Sequence, residues 1–166
     1  MAEWTQYADQ VVNRFDYEAN DWAITNCCTV ASIYGLDGSL WANSTQGGAE
    51  LTTYQHEIED LEGNKKNIEM NEINAAIAAA DGNKNPTEAG IRLGGKKHML
   101  QYTDEATKTS KLVCPGGGAA VGKTATAVIV AFWRKDQNTS AGHPQDADEC
   151  WKLVSEMAAY LTEQGY

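Results

Sequence analysis

From Cys150 to Leu161 the apolar residues Cys150, Leu153, Val154, Met157, Ala158 and Leu161 recur at i, i+3, i+4, i+7, i+8 and i+11. That spacing predicts a helix with one wet side and one dry stripe. Such a helix is stable only against a broad apolar surface. Asp146, Asp148 and Glu149 stand where its dipole favours negative charge. A shorter stripe lies at the other end of the chain. Trp4, Ala8, Val11, Val12 and Phe15 fall at helical spacing between Glu3 and Phe15, with Tyr7 on the flank.

The residues between these helices supply the surface. Ala23 to Tyr34 is β-rich. Gly35-Leu36-Asp37-Gly38 is a turn signal, and Leu40-Trp41-Ala42 resumes extended structure, which predicts a hairpin. Residues 43–69 are ambiguous. Leu51, Tyr54, Ile58 and Leu61 would share a helical face, yet Gly63-Asn64-Lys65-Lys66 equally suits a hairpin tip. Asn71 to Ala80 predicts a helix with Asn71 as N-cap and Glu72 in the first turn, ended by Asp81-Gly82-Asn83. Short strand-like runs follow at Gly90–Leu93, Lys97–Tyr102 and Lys111–Cys114, and Ala125–Trp133 has the composition of a central strand. Two terminal helices bracketing about six strands predict an α+β domain on an antiparallel sheet. The 166 residues suit a single domain, without repeats or a linker.

Charge narrows the class of partner. The net charge is −10, against general nucleic-acid or acidic-membrane binding. The charge is unevenly spread. Residues 84–135 hold nine basic and three acidic groups, a net of +6, and leave −16 for the rest. This asymmetry suits a basic face for an acidic partner. No apolar run reaches membrane length and no secretory signal opens the chain, so a soluble cytosolic protein is expected. Four Cys, two of them adjacent as Cys27-Cys28, make no disulfide framework.

One motif invites an enzyme. Gly117 to Thr124 matches the P-loop pattern, with Lys123 and Thr124 placed for phosphate and magnesium. A P-loop needs a buried strand before it and a helix at its Lys-Thr. Here Pro115 precedes it and a strand composition follows. A nucleotide hydrolase is therefore the rival reading, not the favoured one. His56, His98 and His143 show no metal-ligand spacing, and no catalytic constellation or cofactor is expected.

The aromatics off the helical stripes are more informative. Trp4, Tyr7, Trp41, Tyr160 and Tyr166 would line an exposed groove beside the terminal helices, the kind of surface on which a polyproline II ligand stacks. These rings fall within an ordered series of motifs. Trp4-Thr5-Gln6-Tyr7-Ala8-Asp9, Asp37-Gly38-Ser39-Leu40-Trp41-Ala42, Ile91-Arg92-Leu93-Gly94-Gly95-Lys96-Lys97 and Tyr160-Leu161-Thr162-Glu163-Gln164-Gly165-Tyr166 resemble, in order, motifs of the profilin family.

The resemblance implies a central antiparallel sheet with both terminal helices on one face and short helices on the other. It implies a small cytoskeleton-associated regulator that sequesters actin monomers and promotes their nucleotide exchange. It also implies binding to proline-rich proteins such as formin-like polymerisation factors. Carried over by position, the polyproline site is Trp4, Tyr7, Trp41, Tyr160 and Tyr166, and the actin set is Lys97, Met99, Lys108, Lys111, Lys152 and Glu156. Val113-Cys114-Pro115 stands where plant-like members carry a basic run, which weighs against phosphoinositide binding. Residues 47–68 read as an insertion like that of longer protist members, which could weaken actin binding. A family fold that keeps the proline site without actin is the remaining alternative.

Overall fold

The computed structural model describes residues 2–166. Helix α1 spans Ala2–Val12 and leads into a two-stranded ribbon, β1 (Arg14–Asp16) and β2 (Asp21–Ile24). β3 (Val30–Gly35) and β4 (Leu40–Asn43) form the predicted hairpin, and β5 (Thr53–Glu59) and β6 (Lys65–Asn71) form another. Then come α2 (Glu72–Ala80), β7 (Ile91–Leu93), β8 (Lys96–Asp104), β9 (Thr109–Cys114), β10 (Gly117–Lys123), β11 (Ala127–Arg134) and α3 (Ala147–Glu163). Seven strands make one antiparallel sheet in the order β4-β3-β11-β10-β9-β8-β7.

Alternation along β11 explains the layers. Ala127, Ile129, Ala131 and Trp133 face a core shared with α1 and α3, built on Val11, Val12, Cys150, Val154 and Leu161. Val128 and Val130 face the opposite core, with Ala75, Ala76 and Ala79 of α2. Both terminal helices thus lie on one face, and a single helix, α2, covers the other. Each Val, Ile or Leu side chain so buried contributes ~1.5–3 kcal/mol, and each alanine methyl less than ~1 kcal/mol. Asp146 caps α3 by accepting from the Glu149 amide at 2.8 Å, and Asn71 caps α2 from the Asn74 amide at 3.1 Å.

The structure departs from the sequence reading in several places. α1 stops at Val12, where the Cys27 amide takes the Val12 carbonyl at 2.7 Å. Phe15 therefore leaves the helical stripe for β1 and packs edge-on against Tyr17 and Trp22. The ambiguous 43–69 stretch resolves as the β5–β6 hairpin, whose Tyr54, His56 and Ile58 are half-buried in strict alternation. Eleven strands replace the expected six or so among the described residues.

The P-loop look-alike is strand β10, whose residues pair with β9 on one side and β11 on the other. Its glycines serve packing. A Cβ at Gly118 would overlap the Leu112 carbonyl oxygen, and one at Gly122 would sit 2.9 Å from the Val154 side chain of α3. Lys123 pairs with Asp81 at 2.9 Å, and the Thr124 hydroxyl accepts from the Ala127 amide at 3.0 Å. With the strand paired on both edges, no amide cradle for a phosphate forms here.

Cys27, Cys28 and Cys150 are buried and free, with the Cys28 and Cys150 sulfurs 2.8 Å apart. Burial pushes the Cys27 thiol up to about 12, and the Cys28 thiol well above its ordinary value. Thiol reagents attack the thiolate. In the native protein only half-buried Cys114 is expected to react quickly at neutral pH, against four thiols in denaturant. A second fast thiol would contradict this burial. Because these folded thiols keep their protons past the ordinary value of 9.0, their contribution to stability is complete below that pH. It declines as pH rises through the alkaline range.

Candidate functional site

The five aromatics chosen from the sequence converge on one surface. Trp4 is their hub, with ring centroids 5.4 Å from Tyr7, 4.8 Å from Trp41 and 4.9 Å from Tyr166. Tyr160 joins through Tyr7 at 5.6 Å. Two of these four contacts, Trp4 with Tyr7 and Trp4 with Tyr166, are edge-to-face, an arrangement that ring quadrupoles favour, and the other two are tilted. Tyr160 and Tyr166 are each 41% exposed, and the other three are half-buried against the α1–α3 core. The rings are thus supported from beneath and open above.

Each ring has a local reason to be there. On α1, Trp4 and Tyr7 are one helical turn apart, and the helix is tied to the end of β4 by Asp9. That carboxylate accepts from the Thr45 amide at 2.7 Å and its hydroxyl at 2.8 Å. Trp41 projects from β4 beyond the Gly35–Gly38 turn. There Asp37 accepts from the Ser39 amide and hydroxyl, which holds its carboxyl below the usual value. Past α3, Gly165 adopts φ +92°, a conformation that favours glycine, and the Tyr166 amide donates to the Leu161 carbonyl at 3.0 Å. This turn folds Tyr166 back over Trp4 and Trp41.

The six residues of the expected actin set do not form one patch. Lys97 and Met99 are exposed on β8, Met99 by 70%. Lys111 on β9 is held on the sheet's α3 side. Its ammonium is 2.8 Å from Asp148 and lies 5.1 and 5.3 Å from the rings of Tyr102 and Trp151. Lys108, at a left-handed φ of 54°, sits in the β8–β9 turn, 4.0 Å from Asp81. Lys152 is exposed on α3. Glu156 lines a cleft with Arg14, Phe15 and Tyr160, on the α1 flank of α3, opposite the flank whose Trp151 and Ser155 bond Thr109 of β9.

The +6 segment is also less open than its formal charge. Lys108 and Lys123 meet Asp81, Lys111 meets Asp148, and Arg134 meets Asp136, all carboxylates from outside residues 84–135. Lys84, Lys96, Lys97 and Lys135 are exposed with no carboxylate within ion-pair distance among the described residues, and Lys96 and Lys97 put two of these four side by side at the start of β8.

Two features escaped the sequence. Tyr102 and Trp151 frame Lys111, yet the Tyr102–Lys111 pairing depends on strand register that composition does not reveal. Glu72 read only as a first-turn acid. It is fully buried, and its carboxylate accepts from the Thr52, Gly94 and Gly95 amides and the Tyr54 hydroxyl at 2.9–3.2 Å. It sets the β7–β8 turn from which Lys96 and Lys97 project. Among the described residues no cluster of His, Cys, Asp and Glu could hold a metal, and no helix is long and apolar enough to cross a membrane.

The profilin family model matches residues 2–166. Over 143 residues the chain is 31% identical to a profilin of Tetrahymena pyriformis, covering 80% of this chain and 88% of that one. The fold is similar to Acanthamoeba castellanii profilin IA, with a TM-score of 0.58 and 20% identity over 98% of this chain and 99% of that one. It is similar as well to mouse profilin IIa in complex with a double repeat from the FH1 domain of mDia1, with a TM-score of 0.57 and 17% identity over 98% and 99%. A match over the whole described chain, on a sheet bearing both terminal helices on one face, leads to one conclusion: this chain belongs to the profilin family, the non-enzymatic actin-binding regulators of the cytoskeleton.

Proposed function

We propose that this profilin-family chain uses two separate surfaces, one for proline-rich segments of partner proteins and one for monomeric actin. The observation that carries the first is the convergence of Trp4, Tyr7, Trp41, Tyr160 and Tyr166 into one exposed cluster. A polyproline II ligand is already extended and loses little entropy on binding, and flat rings suit its ridges. The mouse relative in complex with a double repeat from the FH1 domain of mDia1 supports the same reading. For actin, the exposed basic start of β8 with Lys97 and Met99, and the Lys111–Tyr102–Trp151–Asp148 cluster beside it, is the favoured surface. The protein would then act in the cytoplasm, bringing actin monomers to polymerisation factors.

Tryptophan fluorescence titrated with a proline-rich peptide tests the first surface, because Trp4 and Trp41 report on their own occupancy. An unchanged spectrum at millimolar peptide would count against it. Pyrene-actin polymerisation tests the second. Excess protein is expected to slow assembly, and Lys97→Glu to weaken that effect several-fold at low salt without lowering the melting temperature, since the side chain is exposed. Equal slowing by the variant would remove Lys97 from the surface, and no slowing by the wild type would overturn actin binding.

A further inference from the structure

We propose that Cys114 is a modification site, a thiol that exchanges with small disulfides bearing carboxylates, and that the adduct weakens the actin surface; the second half rests on the actin reading above. Cys114 lines a cavity of about 210 Å³ beside the β9–β10 turn, with Leu93, Lys96, His98, Phe132 and Arg134 among its other walls.

Strand register builds this cavity. Cys114 stands two residues after Leu112 on β9, and His98 two residues before Leu100 on β8, so both face the side on which Leu112 and Leu100 meet the α2 core. Continuing the Met99–Val113 pairing by one residue sets His98 opposite Cys114, where Cβ atoms lie ~5 Å apart. No residue of α2 lines the cavity, so this end of the face is left open to a small molecule.

His98 is held for a purpose that packing alone does not require. It is 4% exposed, stacks on Phe132 at 6.3 Å and bonds the Lys96 carbonyl through Nδ1 at 2.9 Å. A carbonyl only accepts, so Nδ1 carries the proton and Nε2 keeps a lone pair. Nε2 has no protein partner among the described residues, yet it is not sealed off, and the cavity is the opening that His98 lines. Burial holds the imidazole below its ordinary value, which leaves it neutral at pH 7 and free to take a proton.

The charge of the walls chooses the reagent. Lys96 and Arg134 line the cavity, and no Asp or Glu does. Arg134 reaches Asp136 at 3.4 Å in an exposed, weak pair, and Lys96 has no carboxylate within ion-pair distance among the described residues. The mouth is therefore positive in a chain whose net charge is −10. In the exchange the Cys114 proton passes to His98 Nε2 and the Cys114 sulfur attacks one sulfur of the disulfide. A new S–S bond forms as the old one breaks, and the departing thiolate takes the proton from His98. Cys114 is oxidised and half of the reagent is reduced, so no other electron acceptor is needed. The half left on Cys114 brings its carboxylates to Lys96, next to Lys97, and offsets the positive charge at the start of β8.

Oxidised glutathione, the neutral hydroxyethyl disulfide and the cationic cystamine test this. Each rate is divided by the rate with a neutral model thiol, and the modified residue is located by peptide mass. The native protein is expected to favour oxidised glutathione roughly tenfold over cystamine at low salt and less at high salt, with the adduct on Cys114. In a Lys96→Gln/Arg134→Gln double variant, both positions exposed, that preference should fall to near one. His98→Asn keeps a donor for the Lys96 carbonyl and removes the base, so it should slow all three reagents alike. An adduct elsewhere, equal rates for the three reagents, or a preference that survives the double substitution overturns the site. Unchanged rates in His98→Asn overturn the proton transfer. In pyrene-actin assays the adduct should slow assembly several-fold less than the reduced protein, and Cys114→Ser should be indifferent to the reagent. Equal slowing by adduct and reduced protein overturns the regulation. No slowing by the reduced protein overturns the actin reading and the regulation with it, while the rates still decide the site.

Discussion

Trp4→Ala is expected to abolish measurable binding of a proline-rich peptide while leaving the protein folded. Trp4 is the only one of the five rings in contact with three of the others, through Tyr7, Trp41 and Tyr166. Its loss removes a stacking surface and also unseats the rings beside it. Truncation of a central tryptophan at an interface costs ~2–4 kcal/mol, a loss of roughly 30- to 1000-fold in affinity. Calorimetry is the right measurement, because the substitution removes one of the fluorescent reporters. Trp4→Phe should lose much less, since it keeps an aromatic face and forfeits the indole N–H. Circular dichroism should show the helices intact, because Ala8, Val11 and Val12 still anchor α1 on the sheet. Wild-type affinity in Trp4→Ala would show that the cluster is packing rather than a binding surface.

How far the sequence foretold this arrangement depended on which physical signal each element carries. α3 was legible because its stripe is one-sided over three turns, and a one-sided helix has one solution. The clustering of the five rings was legible for a related reason: Tyr7 and Tyr160 lie off their stripes, so burial beneath the helices could not account for them. Phe15 was misread because a helical stripe says nothing about where capping ends it. The decisive contact, the Cys27 amide on the Val12 carbonyl, comes from residues far past the helix. The β5–β6 hairpin was ambiguous because Tyr54 and Ile58 satisfy a period of 3.6 and a period of 2 together. β10 was hidden by composition. Gly117-Gly118-Ala119-Ala120 has little strand propensity of its own, and it is a strand because α3 and the neighbouring strands come too close for side chains. The basic segment was legible as a count and misleading as a surface, since Asp81 and Asp148 reach it only through tertiary packing.

Glu72→Ala should give the largest loss of stability from a single polar side chain. The carboxylate is fully buried and satisfies four donors from three places: the Thr52 amide before β5, the Tyr54 hydroxyl within it, and the Gly94 and Gly95 amides of the β7–β8 turn. Alanine takes the acceptor from donors on exposed or half-buried residues, so water recovers part of the loss and each costs less than the ~1–3 kcal/mol of a fully buried orphan. A net loss of about 3 kcal/mol is expected, which in a chain of this size lowers the melting temperature by roughly 6–12 °C. Glu72→Gln offers one acceptor oxygen and turns an amide N–H₂ toward groups that already donate, so it should rescue only part of the loss. Hydrogen exchange supplies the local readout. The Gly94 and Gly95 amides, protected in the wild type by this carboxylate, should exchange much faster in Glu72→Ala, while amides of β10 and β11 follow global stability alone. The turn they form leads into Lys96 and Lys97 of β8, so actin binding should weaken in the same variant even at temperatures where it is folded. Unchanged protection at Gly94 and Gly95 would mean that the turn is held by the Arg92 guanidinium on the Gly95 carbonyl, at 2.8 Å, and not by Glu72.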